Sequence, residues 1–455
     1  MKEQQNTVFN YSVLSNGVFV YPKSRFKDVG IGLDELQDMV TFHKQNQKHD
    51  FKKQFQNYIG NHEIFELERN TSTDIDNRIA VNLPKYVVDT FNGYFIGVPP
   101  SFSAKEDKTN QSLQNWLNGN NFSDLLNEIS KQVDIYGRSY LLAYIGDEDK
   151  QAKVTYLSPQ HSFMIYSNDT EQLPLGFVTY LKNGPEEYEA TLYTSDQVLN
   201  FTSDSSSFTD ISSHNFGGVP VVEFYENTER TGIISTILDL SNELDKAVSQ
   251  KANQNEYFDN AYLTLSGVVD EEDILKLKDN RAIILPEGVT AGFLTKPDND
   301  SMQENHINRI TNLIYQTAQV ANLEDSAFSG NSSGVALQYK LLPMQNKAMN
   351  KERKFSQQLR HLFKLLFTQS SVVGTASETA YIDVSMTFKR NLPTNYNDEA
   401  ETAQKLAGIV SKDTQLSTLT FVKDPQAEIE KMKQEQKEQV QQSIDMSRLG
   451  ADDVE

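Results

Sequence analysis

The first sustained helical period in this chain falls in residues 30–70. There LDELQDMVTFHKQNQKHDFKKQFQNYIG reads as a very polar helical stretch ending at Gly60. A compact apolar segment follows, from Tyr86 to Ile96. Asn82 is placed to cap a helix, Pro84 suits its first turn, and Val87, Phe91, Tyr94 and Phe95 recur at three- and four-residue spacing. Gly97 suits a left-handed residue past the helix end. Tyr86, Val88 and Ile96 fall on the other side, so the pattern predicts a core helix buried nearly all round rather than the wall of a ligand groove. Next, LNEISKQVDIYGRSYLLAYIGDEDKQAKVTYLSP predicts a helix, a glycine turn at Gly137 and a strand hairpin around 138–157. Short alternating strands continue to about residue 225, broken by polar turns such as SDSSSFTD.

The character changes at 231. TGIISTILDLSNELDKAVSQKANQNEYFDNAYL is a long helical pattern with Ile234, Ile237, Leu244, Val248, Phe258 and Tyr262 among its apolar positions. LTLSGVVDEEDILKLKDNRAIILPEGVTAGFLT then reads as a strand, a short helix at 270–279 and two strands hinged at Pro286–Gly288. A second long helix follows in MQENHINRITNLIYQTAQVA, with Ile307, Ile310, Ile314 and Ala318 in register. The expected shape is a helical hairpin carrying a small βαββ cap. After a polar, glycine-bearing loop at 323–334 a third long helix begins near Gly334. Pro343 lies inside it, which predicts a kink. A strand is expected near 380–388, and the sequence from about 391 is helical and poor in aromatics. Its last part is rich in Gln, Glu and Lys, a marginal helix that needs partners. No internal repeat is seen.

Composition sharpens this outline. The 455 residues suggest two to four structural units. With 25 Phe and 20 Tyr, a hydrophobic share of 38% still suffices for real cores. The absence of cysteine excludes a disulfide framework, cysteine–zinc sites and a thiol nucleophile. The opening MKEQQNTVFNYS is too polar for a signal peptide, and the longest apolar run, Tyr140–Ile145, is far too short to span a bilayer, so a soluble protein without membrane contact is expected. The formal net charge of −21 runs against a nucleic-acid clamp, which needs a basic excess. It either keeps the chain soluble or keeps it from sticking to something anionic.

Candidate chemistry is sparse. There is no phosphate-cradling G-x-x-x-x-G-K-[ST], and GNSSG at 330–334 follows a helix and lacks the lysine. His43 and His49, six apart, do not share a helix face as metal ligands would, and read as solvated surface histidines. Asp74-Ile75-Asp76 lacks further acidic partners nearby and reads as a turn. No serine elbow appears, so nothing points to an enzyme, a metal or a cofactor. One charge feature stands out. Lys340, Lys347, Lys351, Arg353, Lys354, Arg360 and Lys364 face a single acid, Glu352, which is seven minus one, or +6. This helix is open to three readings: a solvated face, pairing with acidic surface on a neighbouring subunit, or contact with a polyanion.

Three segments carry a resemblance. They are NYIGNHEIFELERNTSTDIDNRIAVNLPKYVVDTFNGYFIGVPPSFS, VDIYGRSYLLAYIGDEDKQAKVTYLSP, and INRITNLIYQTAQVANLEDSAFSGNSSGVALQYKLLPMQNKAMNKERKFSQQL. In them the chain resembles the portal proteins of tailed phages, the head-to-tail connectors, in the branch typical of long-tailed phages of Gram-positive bacteria. The match spans about 57–358; the first 50 residues and the sequence after 395 match weakly. Gln338 stands where relatives are expected to carry a basic residue.

The resemblance implies an α+β, ring-forming portal fold. Its mixed α/β wing would cover 1–230, with stem helices at 231–262 and 301–322. A clip would occupy 263–300, a tunnel loop 323–334, a kinked helix and wing return 335–390, and a helical crown 391–455. It implies a non-enzymatic homo-oligomer of twelve subunits at the portal vertex of the virion, present in the host cytoplasm during assembly. Such a ring would admit double-stranded DNA during packaging and release it at infection, nucleate the procapsid, and dock terminase, a head–tail adaptor, and the major capsid and scaffolding proteins. Ser329, Gly330, Asn331, Ser332, Ser333 and Gly334 would form the tunnel loop at the channel. Lys340, Lys347, Lys351, Arg353 and Lys354 would touch DNA or a neighbouring subunit. Asp270, Glu271, Glu272, Asp273, Lys276 and Lys278 would dock partners at the clip.

Twelve helices about 10 Å apart enclose a circle about 120 Å round, whose axial radius is about 19 Å. Removing about 5 Å of helix on each side leaves an opening of roughly 28 Å, which passes a B-form duplex about 20 Å across with little slack. On this reading the net negative charge gives an anionic lining that lowers sticking. A DNA-packaging or DNA-processing enzyme is the alternative, opposed by the missing Walker motif; a different oligomeric scaffold is a third.

Overall fold

In a computed structural model the described residues are 4–5, 9–68, 75–182, 187–259, 263–266, 290–293, 300–324, 334–369, 372, 379–392, 396–419, 421–422 and 425–449. Among them a body with two large cores, and a smaller cluster of Tyr140, Leu142, Met164, Phe177, Val219 and Val221 between its sheets, carries a projecting pair of helices.

The first core lies on one face of an antiparallel-rich sheet. Its strands are β1 (Gln4–Gln5), β2 (Ser12–Val13), β3 (Phe19–Tyr21), β7 (Ser162–Ser167), β8 (Pro174–Lys182), β9 (Tyr188–Tyr193), β10 (Gln197–Thr202) and β11 (Asp210–Ser213), neighbouring in that order. β3 joins β7 in parallel, with Phe19 opposite Ile165, and the remaining pairs are antiparallel. Beside it run α1 (Lys23–Val29), α2 (Leu33–Phe42) and α3 (Lys48–Tyr58). Leu36, Met39 and Val40 of α2 pack with Phe19, Phe163, Val178 and Leu192.

A π-helical turn, His43–Gln47, joins α2 to α3 and drives His43 inward. The reading of His43 as a surface histidine is therefore corrected: its side chain is fully buried, with Nδ1 2.8 Å from the Tyr180 hydroxyl and the ring 5.2 Å from Phe163. The apolar side of α2 continues through the turn, and burying the imidazole there favours its neutral form. His49 is exposed. Burial, with Arg138 and Lys48 adding repulsion, pulls the His43 ring down to about 3 from 6.5. Its folded value is depressed, so its contribution to stability is complete above pH 6.5 and is lost as pH falls from there through about 3. In His43→Phe the acid-side loss should shrink, by about 2 kcal/mol between pH 7 and pH 5. Urea midpoints at the two pH values check this.

The second core is helical. It is built from α4 (Leu83–Ile96), α5 (Asp107–Gly119), α6 (Phe122–Tyr136), the first turns of α7 (Ile233–Asp259), and α9 (Gly334–Leu366). α4 begins as its sequence predicts: the Asn82 side chain accepts the Lys85 N–H and Pro84 sits in the first turn. Val87, Val88, Phe91, Tyr94, Phe95 and Ile96 are all buried in this core. Gly97 does not take the left-handed conformation expected for it, but φ −60 and ψ −27. A Cβ there would lie 2.2 Å from Gly93 O and 2.9 Å from Asn391 Nδ2, and Asn391 donates its N–H to Tyr94 O at 3.1 Å. The glycine thus serves the tight last turn of the helix first, and the crossing of the C-terminal segment second.

The strand hairpin around Gly137 is β5 (Arg138–Ile145) and β6 (Ala152–Leu157), with β12 (Val221–Tyr225) on the other side of β5. β4 (Ser101–Ser103) pairs with β15 (Ser385–Thr387). α9 continues as helix through Pro343. The C-terminal part is α10 (Tyr396–Leu406), α11 (Lys412–Ser417) and α12 (Pro425–Leu449). Among the described residues no helix is long and apolar enough to cross a membrane.

Candidate functional site

The projecting pair is α7 and α8 (Asp300–Ala318). Their polar contacts fix the direction. Glu243 lies 3.7 Å from His306, Lys251 pairs with Glu304, and Gln303 donates to Gln254 at 2.6 Å. Numbers rise on one helix as they fall on the other, so the two are antiparallel. Ile234, Ile237 and Leu244 are buried with Ile310, Ile314 and Ala318 in the same core, as the apolar register predicts. Past the helix ends, β13 (Leu263–Ser266) and β14 (Thr290–Phe293) pair antiparallel, with Leu263 opposite Phe293. The expected helix at 270–279, with Asp270, Glu271, Glu272, Asp273, Lys276 and Lys278, lies outside the described residues.

The body grips α7 along its length through polar side chains that an apolar count passes over. Asp245, Ser249 and Asn253 stand four residues apart on one helix face. They accept the backbone N–H groups of Val81 (2.7 Å), Ile79 (2.9 Å) and Asn77 (2.6 Å) in turn. An extended segment that lacks a sheet partner thereby satisfies alternate amides on helix side chains. Asp245 also meets the fully buried His62, with Nδ1 2.5 Å from Oδ2, while His62 Nε2 faces Asn57 O at 2.9 Å. Both ring nitrogens face acceptors, which fixes the orientation of the ring between α7 and the end of α3.

At the root of the hairpin two glycines allow close crossing. Gly137 has φ +84, and a Cβ there would lie 2.0 Å from Arg230 O; one on Gly232 would lie 2.7 Å from Asp134 O. The turn from α6 into β5 thus packs directly on the entry to α7.

α9 completes the root with two lysines one helical turn apart. Lys347 Nζ donates to Ala318 O, at the C-terminal end of α8, at 3.1 Å and lies 3.8 Å from Glu226. A cation at that end also meets the negative pole of the helix. Lys351 is fully buried: Nζ lies 2.7 Å from Asp134 Oδ1 and donates to Ser130 O at 3.1 Å, both on α6. It also sits 5.2 Å from the Phe91 ring, 5.0 Å from Phe95 and 5.4 Å from Phe355. The aromatics of α4 therefore form the wall of a buried charge site. Burial pushes the Asp134 carboxyl up, to about 7, against the pull of Lys351, and burial likewise pulls the Lys351 ammonium down. A polar cleft of about 250 Å³ opens beside this root, lined by Glu226, Thr236, Thr317, Gln319, Lys347 and Asn350.

The structure thus divides the basic helix. Lys351 is enclosed by its own chain, which corrects its reading as a contact for DNA or a neighbour; Lys347 is mostly enclosed too. Lys354 Nζ lies 5.6 Å from the Tyr225 ring. Lys340, Arg353, Arg360 and Lys364 face outward, with Tyr339, Leu342 and Met349 exposed among them, Tyr339 at 72%. Ser329, Gly330, Asn331, Ser332 and Ser333 lie outside the described residues, and Gly334 is the first residue of α9. Of the acidic pair weighed for a cation, Asp76 pairs with Arg78 at 3.0 Å, and Asp74 lies outside the described residues.

An α+β body, rooted to a long antiparallel helix pair with a strand ladder at its tip, has the architecture of the phage head-to-tail connector class. Residues 38–442 match the family described as phage portal protein, SPP1 Gp6-like, and the chain belongs to that family. It is 24% identical over 417 residues to the portal protein of Bacillus phage SPP1, covering 84% of this chain and 81% of that one. It is 24% identical over 405 residues to the portal protein of Clostridium phage phiCD119, covering 81% and 87%. Among solved structures, a chain of the neck of an empty GTA particle computed with C6 symmetry aligns with a TM-score of 0.44 at 13% identity, over 73% of this chain and 88% of that chain.

Proposed function

We propose that this portal-family chain works as a homo-oligomeric ring of twelve copies, without catalysis of its own, at the portal vertex of the virion. The α7–α8 hairpin would stand side by side with its copies to enclose the path for double-stranded DNA, inward during packaging and outward at infection. The observation that carries this reading is the projecting helix pair itself, apolar in the root half of its seam, joined by polar pairs beyond it, and polar on its outward faces. A helix with one buried stripe and a long wet face suits a wall between protein and water. Residues 263–300 would form the face for terminase and the head–tail adaptor, and 323–334 the loop nearest the DNA. The body would seat against capsid and scaffolding proteins and nucleate head assembly in the host cytoplasm.

Lys340 and Arg353, standing among exposed apolar side chains on α9, are subunit contacts on this reading rather than DNA contacts. Negative-stain imaging of the purified full-length protein should show rings whose central hole is roughly 28 Å or somewhat less. Protein that stays monomeric at every concentration would end the reading.

A further inference from the structure

The face of α8 turned away from α7 has an unusual composition. Asn305, Asn308, Asn312 and Gln316 lie on it. Their spacings of three, four and four residues align the amides along one side. All four are exposed, and their side-chain amides meet no partner among the described residues. The buried seam residues Ile310 and Ile314 lie on the opposite side of the helix.

No carboxylate interrupts the stripe. Glu304 is drawn aside to Lys251, His306 stands on the flank with Met302 and Leu313, and one exposed cation, Arg309, borders the amides between Asn305 and Asn312. The outward face of α7 differs: Asp239, Glu243, Lys246 and Gln250 are exposed there. A chain of net charge −21 thus keeps one long helix face free of carboxylates. The stripe also has no apolar side chain with which to offset the desolvation of its amides, so it is poorly suited to burial against a second copy. An Asn or Gln amide can donate to a phosphate oxygen, yet it displaces no counterions and holds a duplex in no fixed register.

We infer that this amide stripe of α8 is the surface over which duplex DNA travels, and that α7 turns its charged face away from the duplex. The inference rests on the portal reading above and sharpens it: the lining nearest the phosphates is a carboxylate-free, hydrogen-bonding amide row with a single arginine at its edge, in place of the anionic wall that net charge alone suggests. A row of lysines would add counterion release at every copy and hold the DNA in a salt-sensitive way.

The test uses full-length protein assembled into particles that package double-stranded DNA. Because the chain has no cysteine, Asn312→Cys supplies a unique thiol for a photo-crosslinker, and Gln250→Cys supplies the matching one on α7. In filled particles the probe at 312 should form adducts with DNA and the probe at 250 should not. Asn305→Lys, Asn308→Lys, Asn312→Lys and Gln316→Lys together should still give rings but lower the packaging rate at least about ten-fold at low salt, with recovery as salt is raised. The same four positions changed to Ser should stay within about two-fold of the parent. Adducts from 312 to a neighbouring copy, DNA adducts from 250, or a lysine set that packages like the parent would each overturn the assignment. If parent rings form but never take up DNA, the portal reading falls and this inference with it.

Discussion

Replacing Lys351 by methionine should cost about 3–5 kcal/mol of folding free energy at pH 8, because it strands a buried carboxylate. Asp134 would keep a place inside the helical core with its nearest cation gone, and the Ser130 carbonyl would lose its donor as well. The cost should depend on pH in a direction set by Asp134. Burial raises its folded value from 3.8 to about 7, so its contribution is complete below the unfolded value and is lost as pH rises through about 7. Lys351 shifts the other way, and its removal takes away the largest pull that favours the Asp134 anion, leaving only the weaker one from Lys347. In the variant the carboxyl therefore stays protonated to higher pH. The difference from the parent should be smallest at and below about pH 7 and grow by up to about 1.4 kcal/mol per unit of pH above it. Denaturant titrations of the parent and Lys351→Met at pH 5 and pH 8 measure this. The double variant Lys351→Met, Asp134→Leu should recover most of the loss, since a well-packed apolar pair can replace a buried ion pair at little cost. An equal loss at both pH values, or no recovery in the double variant, would show that the pair is not the source.

That expectation could not be read from the sequence, and the reason is instructive. A run of seven bases against one acid is visible at once, but a count does not say which side of a helix each side chain leaves from. Lys351 finds Asp134 217 residues earlier in the chain, and Lys347 finds the end of α8 29 residues earlier. Only the packed helices bring these partners together. Asp245, Ser249 and Asn253 were missed because the period of α7 was read from its apolar positions, whereas these three serve the backbone of an extended segment. Their four-residue spacing was the available signal. His43 was misplaced because a π-helical turn shifts the phase of the helix that carries it.

What could be read were features in which local and global preferences agree. Asn82, Pro84 and the aromatic spacing define α4; Gly137 sits at positive φ between α6 and β5; and the register of Ile310, Ile314 and Ala318 places the α8 seam. Gly97 marks the limit of that kind of reading. Its position at a helix end is plain, but the residue is not left-handed: a Cβ would meet Gly93 O at 2.2 Å and Asn391 Nδ2, almost three hundred residues away, at 2.9 Å.

Once Lys347 and Lys351 are assigned to the interior, reversing the charge of the whole basic helix no longer separates assembly from DNA handling, since those variants fail in folding first. The informative set is Tyr339→Asp with Lys340→Glu and Arg353→Glu, each exposed on α9. Surface substitutions of this kind change monomer stability by about 0.5 kcal/mol or less. An exposed tyrosine with apolar neighbours has the composition of an interface centre, where its loss costs about 2 kcal/mol or more per contact. At about 1.4 kcal/mol for each factor of ten, that weakens every pairwise contact roughly thirty-fold. A closed ring repeats the contact at each interface, so the loss multiplies around the circle. The triple variant should therefore fold like the parent in thermal melts and yet sediment as monomer at concentrations where the parent forms rings. Intact rings that package DNA poorly would instead move Lys340 and Arg353 to the DNA path. Intact rings with normal packaging would leave these residues of α9 solvated, with the subunit boundary elsewhere.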